Sequence, residues 1–126
     1  MARLLLDTHV VLWALAEPAK LARAARAALE DAQNDVLVSV VSAWEIAIKR
    51  AHGKLDAPGD LEAAIRMQGF EPLPLTFHHA EQAGGLPPHH RDPFDRALIA
   101  QARAEGLILV TRDSNISLYG VRTLAA

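Results

Sequence analysis

The sequence predicts an α/β protein with a central, mainly parallel sheet and helices on both faces. Short apolar runs, Leu4–Leu6, Val36–Val38 and Leu107–Val110, alternate with longer helix-forming segments. Strands separated by helices pair in parallel through crossovers. The runs are also apolar throughout, as expected of strands covered on both sides. Right-handed crossovers then distribute the helices over both faces.

Arg3–Leu6 is expected to be the first strand. Asp7-Thr8 ends it and can cap a helix over Val10–Leu15, which Glu17-Pro18 breaks. A second helix is expected over Lys20–Gln33, rich in alanine. Leu21, Ala25, Ala28 and Leu29 share one of its faces, and Lys20, Arg23 and Arg26 form a basic stripe opposite, the usual pattern of a wet helix face. Asn34-Asp35 is a turn before the strand Val36–Ser39. Ser42–Ala51 reads as a helix with Trp44, Ala47, Ile48 and Ala51 at core spacing, ended by Gly53 after Lys49 and Arg50.

A short helix over Asp60–Gln68 stops at Gly69. A third strand, Phe70–Leu75, carries Pro72 and Pro74, which push it toward a sheet edge or irregularity. Thr76–Ala83 is a short helix, and Gly84–Arg91 a loop holding His89-His90. Asp92-Pro93 opens a helix, with a capping acid followed by proline at the first helical position. The strand from Leu107 ends in Thr111-Arg112-Asp113, and a last strand lies near Val121–Leu124.

The 126 residues fit one domain, 1–126, with no internal repeat, linker or low-complexity stretch. At 51% hydrophobic and 22% charged the chain is globular. A net charge of -2 and a pI near 6.3 argue against a strongly basic nucleic-acid binder. They leave room for nucleic acid met through local basic patches or metal ions. The absence of cysteine excludes disulfides, zinc–thiolate sites and cysteine nucleophiles, and suits a reducing cytoplasm. The N-terminus lacks a basic-then-apolar leader pattern, and no apolar run is long enough for a membrane.

Four acids stand at strand-to-helix junctions: Asp7, Glu45, Asp95 and Asp113. Each has an ordinary explanation. Ser42-x-x-Glu45 matches a capping box, Asp95 sits in the first turn of a well-capped helix, Asp7 can be a cap and Asp113 a turn residue. Together they say more. Strand ends and following helix starts line one edge of a parallel sheet, where ligands bind. Two carboxylates about 4 Å apart repel by roughly 4 kcal/mol at an effective dielectric near 20. A proton, an arginine or a divalent cation must offset such a cluster. Mg²⁺ prefers oxygen ligands. Bound Mg²⁺ or Mn²⁺ can activate water toward a phosphodiester without a protein nucleophile. An aspartyl phosphatase would want an acid where His9 stands. The paired acids and lysine of a phospho-accepting receiver are not evident. No glycine-rich phosphate loop or Gly-x-Ser-x-Gly elbow occurs.

Leu4-Leu5-Leu6-Asp7-Thr8-His9, Ser42-Ala43-Trp44-Glu45-Ile46, Asp92-Pro93-Phe94-Asp95-Arg96 and Leu109-Val110-Thr111-Arg112-Asp113 resemble the PIN-domain family. More narrowly they resemble VapC-type ribonuclease toxins of toxin–antitoxin pairs, over nearly the whole chain, in order and spacing. The resemblance implies a three-layer α/β/α sandwich and Mg²⁺- or Mn²⁺-dependent cleavage of RNA. It also implies homodimerisation and inhibition by a cognate antitoxin. It makes Asp7 and Asp95 the main metal ligands, with Asp113 completing the pocket. Glu45 would ligate a second ion or orient the attacking water. Asp92 is read as the cap beside Asp95. Thr111 either holds a water or carboxylate in the site or is a plain strand-end threonine.

Arg91, Arg96 and Arg112 adjoin the acids and could contact RNA phosphate, pair with an acid, or be solvated. The pairs His78-His79 and His89-His90 lack zinc spacing and read as surface or loop residues. His9, next to Asp7, could lie near the site, but the stronger expectation is that it packs at its helix start. Trp13 and Trp44 read as core or interface anchors, the sharper expectation being a dimer interface. Leu55–Gly69 and the two helices before it offer an apolar groove for an antitoxin segment. The competing reading is a non-catalytic PIN-like protein-binding module. A third is a DNA-directed nuclease, which the acids alone do not separate from a ribonuclease.

Overall fold

The computed structural model describes residues 1–55, 57 and 59–126; Asp56 and Pro58, within the expected Leu55–Gly69 segment, lie outside them. Five strands, β1 (Arg3–Leu6), β2 (Asp35–Ser39), β3 (Glu71–Leu73), β4 (Ile108–Thr111) and β5 (Thr123–Ala125), form one sheet in the order β3-β2-β1-β4-β5. Every pairing is parallel. β1 is central, and the order reverses there: β2 lies on one side and β4 on the other. That reversal is the kind of switch point at which open parallel sheets hold ligands.

The alternation within β1 divides the core. Leu4 and Leu6 face a layer built on Val10, Val11, Ala25 and Ile65, from α1 (Thr8–Ala16), α2 (Arg23–Glu30) and α4 (Leu61–Met67). Leu5 faces Leu98, Ile99 and Ala102 of α6 (Pro93–Glu105), with Ile116 and Tyr119 from a 3₁₀ stretch, Ser114–Tyr119. Fully burying each leucine or isoleucine contributes about 1.5–3 kcal/mol, so both faces are anchored. β3, which carries Pro72, is an edge strand.

Three expectations about α2 and α3 need correction. The alanine-rich stretch does not form one helix over Lys20–Gln33. A 3₁₀ turn at Pro18–Lys20 precedes α2, and Leu21 between them is extended and buried. Alanine propensity does not outweigh the gain from turning Leu21 into the core. Second, α3 (Val40–Ala51) begins directly at the end of β2 and is capped by Ser39, whose Oγ accepts from the Val41 N–H. Ser42 and Glu45 therefore form no capping box. Third, the earlier start places Val41, Ser42, Glu45 and Ile46 inward and turns the expected core face outward. Trp44 is 61% exposed, and Ala47, Ile48 and Ala51 are exposed as well.

α5 (Phe77–Gly84) starts on a reciprocal cap, in which Thr76 Oγ1 accepts from the His79 N–H and His79 Nδ1 accepts from the Thr76 N–H. His79 is 1% exposed, and its Nε2 meets Glu105 at 2.9 Å, so it is a buried tie between α5 and α6, not a surface residue.

Candidate functional site

Asp7, Glu45, Asp95 and Asp113 line one pocket at the strand-end edge, with Thr8, His9, Trp13, Lys49, Asp92 and Arg112. Asp7 is placed by β1 and α1: Oδ1 accepts from the Thr8 N–H at 2.7 Å, and Oδ2 accepts from Thr111 Oγ1 at 2.7 Å. Thr111 Oγ1 also accepts from the Asp113 N–H at 3.0 Å. One hydroxyl thus links the acids after the two central strands. Asp113 Oδ1 caps the following 3₁₀ stretch through the Asn115 N–H.

Asp92 is the cap of α6, accepting from the Phe94 and Asp95 N–H groups. That leaves the Asp95 carboxyl to face the pocket from the first turn. Burial, then the charges of Asp7, Asp92 and Glu45, outweigh the opposing His90 and push Asp95 up to about 7. Glu45 lies on the inward face of α3. Lys49 Nζ bonds its Oε2 at 2.9 Å, a favourable i,i+4 pair, while the buried Oε1 has no hydrogen-bond partner. Beneath it, Thr8 Oγ1 donates to Ser42 Oγ at 3.0 Å and ties α1 to α3.

His90 lies on a loop, as expected, but it also reaches the acids, which is not expected from the sequence. Its Nε2 lies 2.6 Å from Asp113 Oδ2 and 3.3 Å from Asp95 Oδ2. Burial lowers its pKa, but the bond to Asp113 and the charges of Asp95, Asp113 and Asp92 leave it raised above 6.5. Asp113 is held below 3.8: burial acts upward, and the His90 and Asn115 bonds more than offset it. No ligand spacing marks His90 in the sequence. Its signal is position, on the loop that runs into the same sheet edge as Asp95.

Arg96 and Arg112 are engaged internally. The Arg96 guanidinium donates to the carbonyls of Gly84, Leu86, Pro87 and His90. Arg112 lies 4.2 Å over the Trp13 ring and donates to the Lys20 and Ala126 carbonyls. Arg91 is exposed. Trp44 meets Phe94 edge-on at 5.1 Å.

The donor set fits a divalent cation. Among the described residues His90, Asp95 and Asp113 offer ligand atoms all within 4.8 Å of one another, while Asp7 and Glu45 lie on the same pocket outside that group. The orphaned Glu45 Oε1 is a buried acceptor without a donor. Carboxylate oxygens are the ligands hard cations take.

The raised Asp95 has a measurable consequence. A carboxyl whose folded pKa exceeds its unfolded value stabilises the fold fully below about 4, and that contribution is lost as pH rises through about 7. The raised His90 acts in the same direction above 6.5. Asp113 acts oppositely, its contribution being lost only as pH falls through its depressed value. The melting temperature of EDTA-treated protein is therefore expected to fall between about pH 5.5 and about pH 8.5, and Mn²⁺ is expected to restore it at the alkaline end. A flat profile would contradict the charge balance described.

Fold and site define a parallel α/β domain with an acidic strand-end edge able to hold a cation. The chain belongs to the PIN-domain family, in its VapC-type branch: the family model described as PIN domain matches residues 4–121. It is 34% identical to Ribonuclease VapC22 of Mycobacterium tuberculosis over 124 residues, 92% of this chain and 91% of that protein. Its fold is similar to VapBC2 of Rickettsia felis bound to a DNA fragment from their promoter (TM-score 0.71, 14% identity, 97% of each chain). It is also similar to DNA-bound VapBC of Salmonella typhimurium (TM-score 0.71, 18% identity, 98% of each chain).

Proposed function

We propose that this chain is an endoribonuclease toxin whose hydrolysis of RNA phosphodiester bonds depends on Mg²⁺ or Mn²⁺. The observation that carries the reading is the meeting of Asp7, Glu45, Asp95 and Asp113 on one pocket of a VapC-type PIN domain. Asp7, Asp95 and Asp113 would hold the cation. When bound, it lowers the pKa of a water and offsets charge on the phosphoryl oxygens. Thr111 fixes the Asp7 carboxylate. Lys49 holds Glu45 through one oxygen and leaves the other to accept a hydrogen bond from the attacking water. The exposed Arg91 is a cation available to phosphate, whereas Lys49, Arg96 and Arg112 are engaged within the chain.

The test is cleavage of a mixed RNA pool by purified, antitoxin-free protein. Cleavage with Mg²⁺ or Mn²⁺ that EDTA abolishes and added ion restores supports the reading. A folded protein that binds the ion and cuts no RNA would return the non-catalytic binding module.

The whole chain acts as one domain, in the cytoplasm; no helix among the described residues is long and apolar enough to cross a membrane. A cognate antitoxin is the protein partner. An apolar groove lined by Val38, Ala43, Leu61, Ile65 and Pro72 supports a docking place for one of its segments. Homodimerisation is supported by the outward stripe of Val40, Trp44 and Ile48. Trp44→Asp is expected to convert a species of twice the 13.6 kDa chain mass into monomer in sedimentation, with helical content unchanged. A wild-type monomer at micromolar concentration would refute the dimer.

A further inference from the structure

We propose that His90 is a nitrogen ligand of the metal centre, which makes it a mixed nitrogen–oxygen site favouring Mn²⁺ over Mg²⁺. The inference rests on the metal-dependent reading above and concerns which atoms hold the ion.

The geometry is that of neighbouring ligands. His90 Nε2 stands 2.6 Å from Asp113 Oδ2 and 3.3 Å from Asp95 Oδ2. Ligands about 2.1 Å from a common octahedral ion stand about 3 Å apart along each edge; the two His90 separations are close to that edge, and one ligand atom from each of the three residues lies within 4.8 Å of the others. The His90 main chain is also held on both sides of its Cα. The His90 N–H donates to Tyr119 Oη at 2.7 Å, and its carbonyl accepts from Arg96 Nη1 at 3.0 Å. Tyr119 Oη donates onward to the Pro87 carbonyl at 2.7 Å. Two elements of the second core layer thus aim one loop histidine at the acids.

A second, independent observation points to a ligand at the same pocket. The Glu45 side chain is only 10% exposed, lines the pocket, and keeps a buried oxygen with no partner. An incoming ion with its waters supplies the missing donor.

Imidazole nitrogen changes the selectivity of an oxygen site. Mg²⁺ holds to oxygen and its own waters, whereas transition ions gain from a nitrogen ligand. The alternative is that His90 only hydrogen-bonds the two carboxylates and stays outside the shell when the ion binds.

Pulsed electron paramagnetic resonance of Mn²⁺ bound to the metal-stripped full chain separates the two. The expected result is nitrogen coupling of a directly coordinated imidazole, shifted by isotopic labelling of histidine. It should be retained in His9→Ala and lost in His90→Ala. In His90→Ala the Mn²⁺ dissociation constant should rise about tenfold or more, and that for Mg²⁺ by less than about threefold. Bound Mn²⁺ without imidazole coupling in the wild-type protein, or coupling that survives His90→Ala, overturns the assignment and leaves the acidic metal site standing. Absence of Mn²⁺ binding overturns both. The wild-type spectrum decides without any variant, so a poorly folding His90→Ala does not shield the proposal.

Discussion

Asp95→Asn is expected to lower RNA cleavage by at least about 10³-fold, equivalent to roughly 4 kcal/mol of activation free energy, while raising the melting temperature of the metal-free protein. The two effects share one cause. The carboxyl faces the pocket because Asp92 takes the capping role, and burial together with Asp7, Asp92 and Glu45 makes its ionised form costly. An amide of the same shape keeps the packing and removes the charge. A gain of about 1 kcal/mol corresponds to roughly 3–6 °C for a chain of this size. Calorimetry in EDTA at about pH 8, where the wild-type carboxyl is mostly ionised, reads the stability arm. Loss of cleavage with a lowered melting temperature would mean that Asp95 supports the fold, and that the acids are not held together against repulsion.

Arg96→Lys carries the second large effect. Its four acceptors, the carbonyls of Gly84, Leu86, Pro87 and His90, lie within 2.6–3.4 Å of two guanidinium nitrogens. An ammonium is a point donor with no planar fork and cannot address them together. A loss of about 2–3 kcal/mol is expected, or roughly 6–18 °C in melting temperature. Amide hydrogen exchange should localise the loosening to the loop before α6. The same substitution should weaken ion binding, because the loop carries His90 and ends at Asp92. Unchanged protection of that loop would show that Tyr119 alone holds it.

The parts of the fold legible in sequence are those set by single strong signals. Asp92-Pro93 fixes the start of α6, and Gly106, at φ 67°, its end. Pro72 in β3, with Pro74 just beyond it, places that strand at the sheet edge. Asp7 and Asp113 converge because they follow the two central strands, and a parallel sheet puts those ends on one edge, while Glu45 is brought to it from within α3 and Asp95 from the first turn of α6. Less legible is α3, which is apolar around most of its circumference, so periodicity does not decide its inward face. Ser39 and Ser42 are both competent caps, and only the length of β2 chooses between them. That choice turns Trp44 outward and Glu45 inward. His79 carries a local signal, Thr76 three residues earlier, since an imidazole can complete the reciprocal cap as Glu or Gln usually does. The contact of His90 with Asp113 spans 23 residues of sequence and leaves no pattern in either segment.

The Thr111–Asp7 hydrogen bond joins residues 104 positions apart, and β1 pairs with β4 across the same interval. A growing chain therefore displays Asp7 and Glu45 early, but the pocket has no far wall until β4 has left the ribosome and docked beside β1. Interrupted synthesis yields fragments with half a site.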